Sequence, residues 1–280
     1  MNLKFWGTRG SIPSPGKNTI KYGGNTTCVE VSLNDNTMVI FDSGTGIKNL
    51  GQKIIKNGGP KEIHLFFTHS HWDHVQGFPL FLPAYSDDVT IHIYCCEPIL
   101  DQLKKALTIQ MDDRFFPVRF DQLDAIIVFH KVVENDFLLN NATFSYIRNN
   151  HPGMAFGFKA IQDSKKIVFI TDNELAANGM SITPWNEFVE FCKDADLLIH
   201  DAHYFSDEII KTEGWGHSSC QQAFNLGVEA NVKQLVFFHH EPDRSDEQII
   251  SMLKKYQKKI KKDKLVMKLD AAIEGSKYSV

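Results

Sequence analysis

The sequence predicts a mixed α/β (α+β) chain in which two β-sheets pack face to face with helices outside. Three observations carry this. Apolar runs of strand length, divided by turn residues, fill the first half. Strand and helix patterns alternate through the last third. The composition, 42% hydrophobic with 21 phenylalanines in 280 residues, supplies a large core.

The elements follow in order. Leu3–Trp6 is a short apolar strand, and Gly23-Gly24-Asn25 is a turn leading to strand Thr27–Leu33. Asn34-Asp35-Asn36 turns the chain into strand Met38–Phe41. Ile47–Lys56 has the apolar spacing of a helix and stops at Gly58-Gly59-Pro60. Ile63–Phe67 is apolar apart from His64, as a strand covered on both faces would be. Val89–Tyr94 reads as strand, and Pro98–Leu107 as helix with Ile99, Leu100, Leu103 and Leu107 on one side. Ile126–Val133, Phe137–Leu139 and Thr143–Ile147 read as strands. Ala155–Ile161 and Lys166–Thr171 form a hairpin about Asp163-Ser164. Then come helix Pro184–Cys192, strand Asp196–His200, helix Ser218–Ala230, strand Gln234–Phe238, helix Asp246–Lys261 and a final strand Leu265–Leu269. No internal repeat shows in the sequence, and residues 1–280 are expected to form a single domain.

Bulk properties bound the function. A net charge of −4 supplies no global basic field for nucleic acid. No run of 18 apolar residues exists, so no membrane partner is expected. The start, MNLKFWGTRG, lacks a signal-peptide core. Cys28, Cys95, Cys96, Cys192 and Cys220 form no C-x-x-C, which suits reduced thiols and a cytoplasmic location. The run Lys254-Lys255, Lys258-Lys259, Lys261-Lys262 reads as a solvated helix face, with phosphate contact as the alternative.

The chemistry concentrates in Thr68-His69-Ser70-His71-Trp72-Asp73-His74, directly after a buried strand. In an extended exit, His69 and His71 project to one side, where two imidazoles can hold a borderline ion such as Zn²⁺. Asp73 and His74 follow the turn and can reach a second ion. One loop cannot complete two coordination shells, and other candidates stand at strand exits or helix entries. These are His151, Asp172, His217 and His239, with His240 as a rival to His239.

His69-x-His71-x-Asp73-His74, followed by His151, Asp172 and His239, resembles the metallo-β-lactamase superfamily. The resemblance runs through nearly the whole chain. Asp42-Ser43-Gly44-Thr45-Gly46 resembles the turn that supports the metal loop there. His151–Phe158 and Ile199-His200-Asp201-Ala202-His203 resemble the phosphodiesterase branch, which includes ribonuclease Z and cyclic-phosphate phosphodiesterases. Ribonuclease Z has His-Glu-Ala-Thr at the second segment, so Asp201 and His203 depart from it. The resemblance implies an αββα sandwich with the site at one edge. It implies that His69, His71 and His151 bind one metal, that Asp73, His74 and His239 bind a second, and that Asp172 bridges them. Zinc is the expected ion, with manganese or iron as alternatives.

The expected reaction is phosphodiester hydrolysis by a hydroxide held between the two ions. Asp73 would orient that hydroxide or take its proton, and His217 would protonate the leaving group or bind the anion. Asp201 would hold His217 in its charged form. The alternatives are a hydrolase of lactones, thioesters or β-lactams, and a non-catalytic metal-bound sensor. The expected substrate is a small cyclic or nucleotide-derived phosphodiester. Only 20 residues separate His151 from Asp172, where bacterial ribonuclease Z carries its tRNA-gripping arm, so tRNA is not expected as a partner. A homodimer is common among such proteins. Phe78, Leu80, Phe81, Phe115 and Phe116 either line a substrate wall or belong to the core, and Arg9 either reads a phosphate or makes a structural salt bridge.

Overall fold

The computed structural model describes residues 1–175 and 182–280. The first sheet draws on β1 (Asn2–Gly7), β2 (Cys28–Ser32), β3 (Met38–Phe41), β4 (Glu62–Phe66), β5 (Thr90–Cys96) and β6 (Ile126–Val132). Between them lie α1 (Ile47–Lys56), the single turn α2 (Trp72–Val75) and α3 (Leu100–Gln110). The second sheet draws on β7 (Asp136–Leu139), β8 (Ala142–Arg148), β9 (Phe156–Gln162), β10 (Lys165–Ile170), β11 (Leu197–Asp201), β12 (Gln234–Phe238) and β13 (Lys268–Ala271). Its helices are α4 (Trp185–Cys192), α5 (Cys220–Glu229) and α6 (Asp246–Lys262). The last strand, β14 (Lys277–Ser279), returns to the first sheet.

The strand orders are β14-β1-β2-β3-β4-β5-β6 and β13-β12-β11-β10-β9-β8-β7. Each sheet starts antiparallel and continues parallel, from β3 in the first and from β10 in the second. The two halves thus repeat one topology, although no repeat is visible in the sequence. Strands β3–β4 and β10–β12 deliver their carboxyl ends to a common rim, where their loops carry the chemical residues.

Aromatic side chains fill the space between the sheets. Phe41 packs on Phe169 at 5.1 Å, Phe66 on Phe144 at 5.0 Å and Phe5 on Phe238 at 5.6 Å. Strand β12 shows why the parallel strands read as unbroken apolar runs. Val236 and Phe238 face the partner sheet, while Leu235 and Phe237 face the helices with Phe224, Ile249 and Tyr256. Both faces are covered, so no polar alternation is needed. Burying one such phenylalanine contributes about 2–3 kcal/mol. The expected two-sheet sandwich with helices outside is the architecture observed.

Local departures have local causes. Helix α3 starts at Leu100, because Glu97–Ile99 forms a tighter 3-10 turn around Pro98. The expected final strand Leu265–Leu269 lies later, at β13, because Leu265 N donates to Ile260 O and closes α6. Among the described residues, no helix is long and apolar enough to cross a membrane. All five cysteines are buried and unbridged.

Candidate metal centre

Three residues of the rim stand at strand ends in left-handed backbone: Asp42 after β3 (φ 59°), Asp172 after β10 (φ 51°) and His239 after β12 (φ 59°). Such conformations are costly outside glycine, so neighbouring contacts must hold them. In return, the chain turns sharply and aims each side chain across the rim. Gly10 makes room for this, because a Cβ there would lie 2.4 Å from the His239 ring.

The side chains meet in two clusters that share Asp172. His69, His71, His151 and Asp172 bring one nitrogen or oxygen each to within 4.8 Å of one another, and so do Asp73, His74, Asp172 and His239. The two oxygens of Asp172 divide between them. Oδ2 faces His69 Nε2 at 3.6 Å and His151 Nε2 at 3.9 Å. Oδ1 faces His74 Nε2 at 3.1 Å and His239 Nε2 at 3.2 Å. His71 is the exposed member, with Nδ1 3.0 Å from His151 Nε2. His239 lies in the second cluster, whereas His240 turns away and bonds Ala272 O at 2.9 Å.

A surrounding layer fixes which edge each imidazole presents. Asp42 Oδ2 accepts from His74 Nδ1 (2.9 Å) and Thr68 Oγ1 (2.8 Å), and its Oδ1 accepts from Thr68 N (2.8 Å). Thr68 Oγ1 in turn accepts from His69 Nδ1 at 3.0 Å. His151 Nδ1 donates to Gly216 O at 2.9 Å. Glu174 fixes that loop by accepting from Gly214 N and Gly216 N, both at 2.9 Å to Oε2. Each Nε2 is left facing the cluster. Among the described residues His69 Nε2 is buried without a hydrogen-bond partner, and His74 Nε2 meets only the carboxylates of Asp73 and Asp172, at 3.2 and 3.1 Å. Buried imidazole nitrogens turned toward carboxylates are the arrangement a borderline divalent cation completes.

The charges agree with that fit except at His74, where burial is overcome by Asp73, Asp172 and Asp42, which raise the pKa well above the usual imidazole value, so a cation there takes the place of a proton. Burial opposes ionisation of Asp172, but His239, His74 and His69 together bring its pKa well below the usual carboxylate range. Asp73 likewise resists burial through His74 and His239, and its pKa is well below the usual range. Burial drives the His69 pKa well down, helped by the charge of His74. The rim therefore offers ionised carboxylates and a neutral imidazole.

Beside the clusters, Asp201 Oδ2 accepts from His217 Nδ1 at 2.7 Å. Burial works against charge on His217, yet Asp201 outweighs it and the pKa is pushed up to about 9. Asp201 Oδ1 also accepts from His203 N at 3.0 Å.

Other expectations resolve by placement. Arg9 is fully buried, out of reach of a substrate phosphate, and no ion pair to it is found among the described residues. Its Nε donates to Gly23 O, and one terminal nitrogen donates to Glu241 O and Arg244 O. Phe78 and Phe81 are core, whereas Leu80 and Phe115 are exposed. The lysine run occupies the C-terminal part of α6, exposed apart from the half-buried Lys259.

The profile of the beta-lactamase superfamily domain matches residues 37–240. The chain belongs to the beta-lactamase superfamily. Within it, the chain is 24% identical to ribonuclease Z of Picrophilus torridus, over 87% of both chains. Its fold is similar to human tRNase Z, short form (TM-score 0.68, 21% identity, 100% of this chain and 99% of that one). It is also similar to Zn²⁺-bound PqqB from Methylobacterium extorquens (TM-score 0.72, 12% identity, 100% of both chains). These findings support a metal-dependent hydrolase of the superfamily's phosphodiesterase branch. They also correct one expectation. Residues 151–172 do fold as the short hairpin β9–β10, which leaves no room there for an arm. Yet ribonuclease Z relatives align along most of the chain, so a short hairpin gives no ground for setting tRNA aside.

Proposed function

We propose that this superfamily member hydrolyses nucleotide-derived phosphodiesters with two divalent metal ions, zinc being the best match to the donor set. The division of the Asp172 oxygens between two clusters carries the reading, because a carboxylate so placed can serve two cations at once. His69, His71 and His151 would hold one ion, Asp73, His74 and His239 the other, with Asp172 shared. When bound, the ions supply an acidified water and a sink for charge on the phosphoryl oxygens. Asp73 would orient that water and take its proton. Ser11 N, donating to Asp73 Oδ2 at 2.7 Å, fixes the carboxylate for this task. His217, charged through Asp201, would give its proton to the leaving oxygen. Similarity to ribonuclease Z favours an RNA-derived ester, and small cyclic nucleotides offer the same bond in compact form.

The test is hydrolysis of bis(p-nitrophenyl) phosphate by zinc-loaded protein, then by the same protein stripped with chelator. Activity should vanish on stripping, return with zinc, and be lost in His71→Ala. A panel of 2′,3′-cyclic nucleotides and a tRNA precursor then ranks the substrates. Turnover of lactones or β-lactams without turnover of any diester would overturn the reading.

A further inference from the structure

We propose that His203 reads a hydroxyl group next to the scissile phosphate, so that hydroxyl-bearing diesters are preferred over those without one. The inference rests on the phosphodiesterase reading above. His203 follows β11 by two residues and is 4% exposed. Its Nδ1 faces the His239 carbonyl oxygen at 2.8 Å, so Nδ1 carries the proton and donates. His217 is tied in the same manner through Nδ1 to Asp201. In both rings Nε2 is the edge left for a ligand. His203, His217 and His239 bring one nitrogen each to within 4.8 Å of one another, at the margin of the second cluster.

The stacking of the rings says which ligand fits. His203 lies on His217 at 4.5 Å with 19° between planes, and His217 lies on His239 at 5.1 Å with 20°. Nearly parallel rings point their nitrogens side by side, not toward a tetrahedral centre, which argues against a further metal ion. A phosphoryl oxygen only accepts, and would need a proton on His203 Nε2. A hydroxyl both donates and accepts, so it suits Nε2 whatever the charge of the ring. With His217 beside the leaving oxygen, the adjacent His203 edge would meet a substituent on the neighbouring carbon.

The bond to His239 O could by itself give His203 a purely supporting role, and the test separates the two. Asparagine can keep that donor while removing the Nε2 edge, whereas alanine removes both. Wild type, His203→Asn and His203→Ala, each zinc-loaded, are compared on the dinucleotide ApA and on its counterpart lacking the 2′-hydroxyl beside the leaving 3′-oxygen, scoring only the release of 5′-AMP with the free 3′-hydroxyl nucleoside so that cyclisation by the hydroxyl itself is not counted, with metal content measured in parallel. The wild-type kcat/KM ratio should favour the hydroxyl-bearing ester about tenfold, the size of one hydrogen bond in a desolvated site. In His203→Asn the ratio should fall to about one with metal retained. A wild-type ratio near one, or a preference that survives in His203→Asn, overturns the proposal. Failure of the zinc-loaded wild type to hydrolyse either ester overturns the phosphodiesterase reading, and this inference with it.

Discussion

Asp42 touches none of the rim's open edges, yet three groups depend on it: Thr68 N, Thr68 Oγ1 and His74 Nδ1. Asp42→Asn replaces one accepting oxygen with a donor and leaves His74 free to rotate or change tautomer. Zinc affinity should fall about 10–100-fold, read by competition with a chromogenic chelator. His217 permits a pH prediction. Its pKa is pushed up to about 9, so its proton is present below that pH and leaves above it. Hydrolysis of a 2′,3′-cyclic nucleotide, whose alkoxide leaving group needs a proton, should therefore decline on the alkaline side near pH 9. Asp201→Asn removes the carboxylate that sustains the charge and should move that decline to lower pH. It should slow the cyclic nucleotide by about 10²-fold or more, and p-nitrophenyl esters far less, since nitrophenolate leaves unaided. His203 is the residue that sequence reasoning placed in a motif without giving it a task. Its signal was available, two positions past the strand end that carries Asp201. Arg9 was misread for a different reason. The carbonyls of Glu241 and Arg244 that hold it come from the far end of the chain, and no local pattern reveals them.

At the level of elements, the strands were legible wherever both faces are covered, because burial makes Leu235–Phe238 continuously apolar and leaves His64 the single polar residue of Ile63–Phe66. The hairpin at Asp163-Ser164 was legible from its turn residues, which both take positive φ (50° and 62°). Two elements were not. Helix α2 is a single turn inside the histidine loop, too short to show a period. Strand β14 has only three residues, Lys277–Ser279, and exists because β1 offers it an open edge. Helix α5 begins with a capping box in which Ser219 accepts from Gln222 N and Gln222 accepts from Ser219 N. Ser219→Ala should cost about 1 kcal/mol, measured by urea unfolding. The same change should loosen the His217-Ser218 segment just before it. Removing residues 277–280 would uncover β1 and lose the Tyr278 contact with Phe5, 5.7 Å between centroids. The truncated protein should melt lower and aggregate at concentrations where the whole chain does not, as light scattering would show.

Across the whole molecule, the legible part of the site was the one written as short-range order: His69 through His74, then single residues at later strand exits. What sequence could not supply was the meeting of the two halves, since β3–β4 and β10–β12 belong to different sheets and meet through the interior packing and the contacts of the rim. A cation at their common rim would tie those halves together. Zinc at about 1,000 times its dissociation constant should add about 4 kcal/mol to folding stability, visible as a rise in Tm that chelator reverses. The left-handed backbone at Asp172 adds a last consequence. Glycine would relieve that conformation, but Asp172→Gly would also leave His69, His74 and His239 without the carboxylate they share. The stripped variant should melt below the stripped parent and no longer gain from zinc. Endurance and chemistry thus pull this position in the same direction, and selection for either alone would keep the aspartate in its strained backbone.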